Sequence, residues 1–272
     1  MKAEIKVITD NIPGGGLGAE WGLCLLIDFE GTKILLDAGA SDLFLGNMRS
    51  LGERPEDVDF AVLSHAHYDH ANGMPAFFEN NTKAKLLVRE TTASDCFKKV
   101  FIFKKYIGIP ERLLDEYADR IETVAGNYEF APGAFLVPHT TGNLSEIGRR
   151  ESMCRKTKRG WIPDDFSHEQ SLVLDTDKGL LIFNSCSHGG VANIINEVKA
   201  AFPEKPICGY IGGFHLFNKS EEEIRRVAGA LKATSLEYIC TGHCTGEKAF
   251  AILKNELGDR AEQLHAGKNI IL

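Results

Sequence analysis

The run Ser64-His65-Ala66-His67-Tyr68-Asp69-His70 constrains this chain more than any other stretch. Four metal-competent side chains fall within six residues, directly after the apolar run Phe60-Ala61-Val62-Leu63, whose pattern predicts a short buried strand. Residues two apart on an extended segment point the same way, so His65 and His67 can share one point in space. Asp69 and His70 follow a bend and can face a second point, about 3.5–4 Å away as in two-metal sites. Imidazole nitrogens with a carboxylate suit zinc, or manganese or iron where the site is more open. A solvated polar loop is the plainer alternative. Three of the nine histidines within six positions at a strand end favour a metal site instead.

At 272 residues the chain can bury a sizeable core, and no apolar run approaches the roughly 18 residues of a membrane span. Met1–Ile8 alternates polar and apolar residues like a first strand and has no signal-peptide pattern. The seven cysteines are odd in number and scattered, which predicts reduced thiols and a cytoplasmic protein. A net charge of −7 disfavours nucleic acid as a partner of the whole surface. The expected partner is a small-molecule substrate, with neither nucleic acid nor membrane; the oligomeric state is not legible.

No linker, repeat or low-complexity tract divides residues 1–272, so one domain is expected, with a basic loop insertion near 140–165. Strands are predicted at 5–9, 23–29, 33–36, 86–88, 172–175, 180–184, 207–211, 236–240, 261–264 and 269–272. Helices are predicted at 42–51, 111–120, 191–202, 221–232 and 247–257. Strands first, then βα units in both halves, indicate two packed sheets flanked by helices, an α+β protein whose layer order stays open.

Three later segments share one form, a polar loop with a histidine just after a strand. They are Asn184-Ser185-Cys186-Ser187-His188-Gly189-Gly190, Gly212-Gly213-Phe214-His215-Leu216 and Thr241-Gly242-His243-Cys244-Thr245-Gly246. Glycines beside a histidine let the backbone turn sharply and a ligand approach closely. Together with residues 65–70 they predict one shared site at the strand ends. His139, His168 and His265 lack that setting and read as structural.

These residues resemble the metallo-β-lactamase superfamily, whose signature His-x-His-x-Asp-His stands here as His65-Ala66-His67-Tyr68-Asp69-His70. Asp37, in Ile34-Leu35-Leu36-Asp37-Ala38-Gly39, matches the aspartate that orients the cluster from beneath. Glu20-x-Gly22, Glu169-Gln170, Cys186-Ser187-His188-x-Gly190, Gly212-Gly213-Phe214-His215-Leu216 and His243-Cys244-Thr245-Gly246 are similar to one branch. That branch is named for the archaeal dihydropteroate-synthase-like enzyme of methanopterin biosynthesis. The resemblance implies an αββα sandwich of two mixed sheets and two divalent metal ions, zinc first, with manganese or iron as alternatives. It implies that His65, His67 and His188 hold one metal and that Asp69, His70 and His243 hold the other. Glu20, Asp37 and Glu169 would support the site or substrate, Asp69 would orient water or take its proton, and His215 would donate to substrate.

Two positions depart from that pattern. Cys186 stands about where the family carries a bridging aspartate, so it is either a bridging thiolate or a buried inert thiol. Trp21 follows Glu20 where the branch has histidine. The run 149–161 carries six cations against one carboxylate, and as a mobile lid it could bind substrate phosphate through Arg155 and Arg159, or simply be a solvated loop. Two function classes stay open. One is a dinuclear-metal hydrolase acting on a small phosphorylated or heterocyclic metabolite, or a dihydropteroate-synthase-like transferase releasing pyrophosphate. The other is a ligand-binding or sensor protein with a degraded metal site.

Overall fold

Side-chain alternation along the strands sorts the chain into layers. The computed structural model describes residues 1–272. One sheet runs in the order Asn269–Ile271, Ala3–Thr9, Cys24–Phe29, Thr32–Leu36, Phe60–Val62, Lys85–Arg89 and Ile121–Val124. Its first four strands pair antiparallel and the rest pair parallel. A second sheet mirrors this plan, in the order Ala261–Gln263, Tyr238–Thr241, Ile207–Ile211, Gly179–Phe183, Gln170–Thr176, Ala134–Pro138 and Tyr128–Ala131. Here the first four strands are parallel and the remaining pairings antiparallel.

Strand side chains alternate faces with period two, and the buried residues follow that rule. Ile5, Val7, Leu25, Ile27, Ile34 and Leu36 meet Leu136, Leu172, Leu174, Leu181, Phe183 and Ile211 between the sheets. On the outer face of the first sheet, Leu26, Leu35, Ala61 and Leu86 pack with Phe44, Met48, Met74 and Phe77 from helices Leu43–Ser50 and Met74–Asn80. On the far face, Val173, Ile182, Tyr210 and Ile239 meet Ile194, Val198, Ile224, Leu231 and Leu253 from helices Val191–Ala201, Glu221–Lys232 and Glu247–Leu257. The layer order is therefore helix, sheet, sheet, helix. No helix is long and apolar enough to cross a membrane, and all seven cysteines are free.

Several segments depart from the sequence reading, including helix Met74–Asn80 and strands Ile121–Val124, Tyr128–Ala131 and Ala134–Pro138, which it did not foresee. The expected basic loop contains helix Leu144–Arg150 and a hairpin of Met153–Thr157 and Gly160–Pro163. That hairpin joins Cys96–Val100 and Phe103–Tyr106 in a four-stranded antiparallel sheet. Cross-strand pairing with a distant partner fixes this segment, and its own sequence carries little of that signal. The amphipathic helix expected at 111–120 shrinks to Leu113–Glu116 plus one 3₁₀ turn, Ala118–Arg120. There the Arg120 guanidinium donates to Ala84 O and Asn81 O and ties the chain to its neighbours before the next strand.

Candidate metal centre

The two sheets place several strand C-terminal ends together at one edge, and six loops leave from there. Asp37 follows Thr32–Leu36, the 64–70 loop follows Phe60–Val62, and Asp10 and Asn11 follow Ala3–Thr9. From the second sheet, Cys186 and His188 follow Gly179–Phe183, His215 follows Ile207–Ile211, and His243 and Cys244 follow Tyr238–Thr241. Ligand atoms of His65, His67 and His188 lie within 4.8 Å of one another, as do those of His65, His70 and Cys186. Cys186, His243 and Cys244 form a further group on the same criterion, as do Cys186, His188 and His215. Asp69 Oδ2 lies 3.7 Å from His70 Nε2 and 3.6 Å from His243 Nε2. Cys186 Sγ sits 3.2 Å from His70 Nε2.

Close packing forces unusual backbone. Asp37, Ser187, His215 and His243 all take left-handed φ, near 50–60°, a conformation most side chains avoid and one that recurs at functional sites. Gly212 is required by its surroundings: φ is 144°, and a Cβ there would lie 1.9 Å from Asn184 O.

Hydrogen bonds fix which ring nitrogen faces the centre. Asp37, fully buried, accepts from Ser64 N at 2.7 Å, Ser64 Oγ at 2.6 Å and His70 Nδ1 at 2.7 Å. Because the Ser64 hydroxyl donates to Asp37, it accepts from His65 Nδ1 at 2.8 Å. His243 Nδ1 donates to Asn11 Oδ1 at 3.1 Å. Each of these rings thereby turns Nε2 toward the centre. His65 Nε2, His67 Nε2, His243 Nε2 and both nitrogens of His188 are buried without any protein partner. Unpartnered buried polar atoms cost about 1–3 kcal/mol each, and a divalent cation would satisfy them. The donor set of imidazole, carboxylate and thiol suits such an ion.

Electrostatics point the same way. Burial, reinforced by the neighbouring imidazoles, pushes His65 and His188 well below the ordinary histidine range. Burial and His168 take His67 down to about 3. These rings stay neutral and keep their lone pairs. Burial works against charge on Asp69, but His70 and His243 outweigh it and hold the carboxylate low. Burial also opposes charge on His243, yet Cys244, Asp69 and Asp10 push it up to about 9. Surroundings that favour a proton on this ring also favour a cation beside it. Burial raises the Cys186 thiol well above its usual value.

Of the expected supporting residues, Glu20 accepts from Ala40 N at 2.9 Å and from Ser41 N and Oγ, and so braces the loop after Asp37. Glu169 accepts from His188 N and Gly189 N, both at 2.9 Å, and holds the loop that presents His188. His215 leaves both ring nitrogens without a hydrogen bond, its Nε2 lying 3.9 Å from a Glu151 oxygen, and packs on His188 with ring centroids 4.4 Å apart. Trp21, 41 % exposed, packs against His243 and Phe217 beside the centre.

Arg155 and Arg159 are not brought to the site. Arg155 donates from Nε to both Asp95 oxygens, from one terminal nitrogen to Ser167 Oγ and from the other to Thr91 O. Its guanidinium is thus a structural clamp. Arg159 is exposed in the hairpin turn.

Cys244 and Asp10 escaped the sequence reading, while His139 and His168, read there as structural, brace the centre from behind. Cys244 lies beside Cys186 and accepts from His215 N at 3.2 Å; its adjacency to His243 was the available signal. Asp10 accepts from His243 N, and burial raises its carboxyl to about 6. His139 bridges Glu169 and Glu197, behind the loop of His188. His168 accepts from Ala66 N through Nδ1 at 3.1 Å and faces Asp164 through Nε2 at 3.2 Å. Both of its nitrogens are engaged, which makes it a prop for the His65–His67 segment.

Such a cluster, between two mixed sheets flanked by helices, defines a class. The chain belongs to the metallo-β-lactamase superfamily, whose model matches residues 18–182. Among its relatives is the 7,8-dihydropterin-6-methyl-4-(β-D-ribofuranosyl)-aminobenzene-5'-phosphate synthase of Methanocaldococcus jannaschii. That protein is 28% identical over 93% of this chain and 90% of its own length. An uncharacterised protein of the same organism is 29% identical over 92% of this chain and 93% of its own. The crystal structure of a metal-dependent hydrolase of the β-lactamase superfamily superposes with a TM-score of 0.83, at 28% identity and 98% coverage of both chains.

Proposed function

We propose that this protein is an enzyme whose activity depends on two divalent cations, zinc first, and which acts on a small phosphorylated or heterocyclic metabolite. The observation that carries this reading is the set of buried, unpartnered imidazole nitrogens around Asp69 and Cys186. His65, His67 and His188 would hold one ion; Asp69, His70 and His243 would hold the other, with the Cys186 sulfur 3.2 Å from His70 Nε2 as a further donor. When bound, such a pair acidifies water and stabilises negative charge on a departing oxygen. Asp69, kept ionised by His70 and His243, orients the attacking water and receives its proton only transiently. His215, with two unpaired nitrogens beside His188, is placed to donate to a substrate oxygen. Trp21 and Phe217 supply an aromatic flank against which a planar ring can pack.

Hydrolysis is the primary reading, supported by the similarity to the metal-dependent hydrolase. Pyrophosphate-releasing transfer is the second, favoured by the similarity to the archaeal synthase. Screening of phosphate esters, pyrophosphates, lactones and neutral esters, before and after chelation, tests both. The expected result is turnover that chelator abolishes and added zinc or manganese restores. Turnover indifferent to chelator, or none in any class, would overturn the proposal.

A further inference from the structure

A cavity of about 590 Å³ opens beside the cluster, walled by His188 and His215 on one side and by three helices on the others. Its volume fits a small metabolite. The helix Val191–Ala201 begins at this cavity, capped by Gly190, which offers no side chain to its first turn. The backbone N–H groups of Val191, Ala192 and Asn193 have no acceptor within the chain. Such a terminus carries roughly half a positive charge and three free donors.

Two guanidiniums join it. Arg150 ends the helix Leu144–Arg150 and Arg226 lies on Glu221–Lys232; both line the cavity. Neither takes part in an ion pair, whereas the third cation of the wall, Lys219, is paired with Glu151. Glu223 is likewise engaged, in the capping box with Ser220. His188, shared with the metal centre, also lines the cavity: it is 4 % exposed and leaves both ring nitrogens unpartnered, one more than a single ion can use. On the metal-enzyme reading one of them would hold an ion, which leaves the other for a bound group.

We infer that this cavity is the substrate subsite and that it takes a phosphate group, held by Arg150, Arg226 and the N-terminus of the Val191–Ala201 helix. The inference rests on the metal-enzyme reading for its place next to the reacting centre. A tetrahedral phosphate matches two forked guanidiniums and a cluster of amides better than a planar carboxylate does. The basic character foreseen for the 149–161 run thus acts through Arg150, at its helical edge, while Arg155 is committed elsewhere.

The test uses metal-loaded protein and inorganic phosphate as the probe, with calorimetric titration of the unsubstituted chain and of Arg150→Gln, Arg226→Gln, the double variant and Arg159→Gln. Acetate is titrated in parallel, and circular dichroism and bound metal are measured for every protein. Each single substitution should weaken phosphate about tenfold and the pair about a hundredfold, with metal content intact. Arg159→Gln should bind phosphate as the unsubstituted chain does. The inference is overturned if the double variant keeps its phosphate affinity, if Arg159→Gln loses as much, or if acetate binds as tightly as phosphate. Absence of phosphate binding to the unsubstituted chain would overturn it too. Phosphate binding that follows these expectations in a protein without metal-dependent turnover would sink the enzyme reading alone.

Discussion

Asparagine in place of Asp37 isolates the orientation of the cluster from its size. The substitution preserves volume, and asparagine tolerates the φ of 61° found at this position. The carboxylate accepts three hydrogen bonds, from Ser64 N on one oxygen and from Ser64 Oγ and His70 Nδ1 on the other. An amide has one acceptor oxygen. The backbone N–H of Ser64 cannot reverse its role, so the amide oxygen must stay there. The NH₂ group then faces His70 Nδ1, which can accept only by surrendering its proton to Nε2. That is the nitrogen 3.2 Å from Cys186 and 3.7 Å from Asp69. His70 would thereby lose its lone pair toward the centre. Losing one charge-assisted contact costs about 1.5–3 kcal/mol, and losing ligand orientation costs about 10–100-fold in metal affinity. Competition with a chromophoric chelator reads the affinity, and a thermal melt of the same sample reads the stability. A variant that binds metal within about twofold of the parent would refute this reasoning.

Other consequences are separable. Burial opposes charge on His139, but Glu169 and Glu197 outweigh it and raise its pKa from 6.5 to about 9. The stabilisation is fully present below pH 6.5 and disappears as pH rises through about 9, on the order of 3 kcal/mol. Chemical denaturation between pH 6 and 10 should show that decline, and His139→Gln should flatten it. Arg155→Ala should cost about 2–4 kcal/mol of stability through its severed contacts to Asp95, Thr91 and Ser167. A shift in phosphate affinity with unchanged stability would instead return Arg155 to the substrate. For Cys186→Ser, metal at the His70–His243 side should weaken, and in the parent bound metal should shield the thiol from alkylation; equal alkylation with and without metal would reduce Cys186 to packing.

Much of the site could be read from the sequence because its ligands cluster in short loops after apolar runs. His65, His67, Asp69 and His70 lie within six residues, and glycines flag the loops of His188, His215 and His243. The inner strands were legible for the same reason, since Ile207–Ile211 and Gly179–Phe183 are almost wholly apolar and buried. Legibility failed where partners are distant. Arg155 looks like a free cation until Asp95, 60 residues away, closes on it. His139 meets Glu169 and Glu197 across 30 and 58 residues. The lysine-rich hairpin Cys96–Val100 and Phe103–Tyr106 pairs with itself but has too little burial for a strong alternation, and its register with Met153–Thr157 extends it into a four-stranded sheet.

Elemental analysis of the protein purified without chelator bears most directly on the central claim that these buried nitrogens hold cations. The parent should carry close to two equivalents of divalent metal per chain, and His65→Ala or His188→Ala about one or fewer, since each removes a direct ligand. A parent that takes up no metal, even with zinc or manganese in excess, or a folded His188→Ala variant that keeps the full complement, would contradict the assignment of this centre.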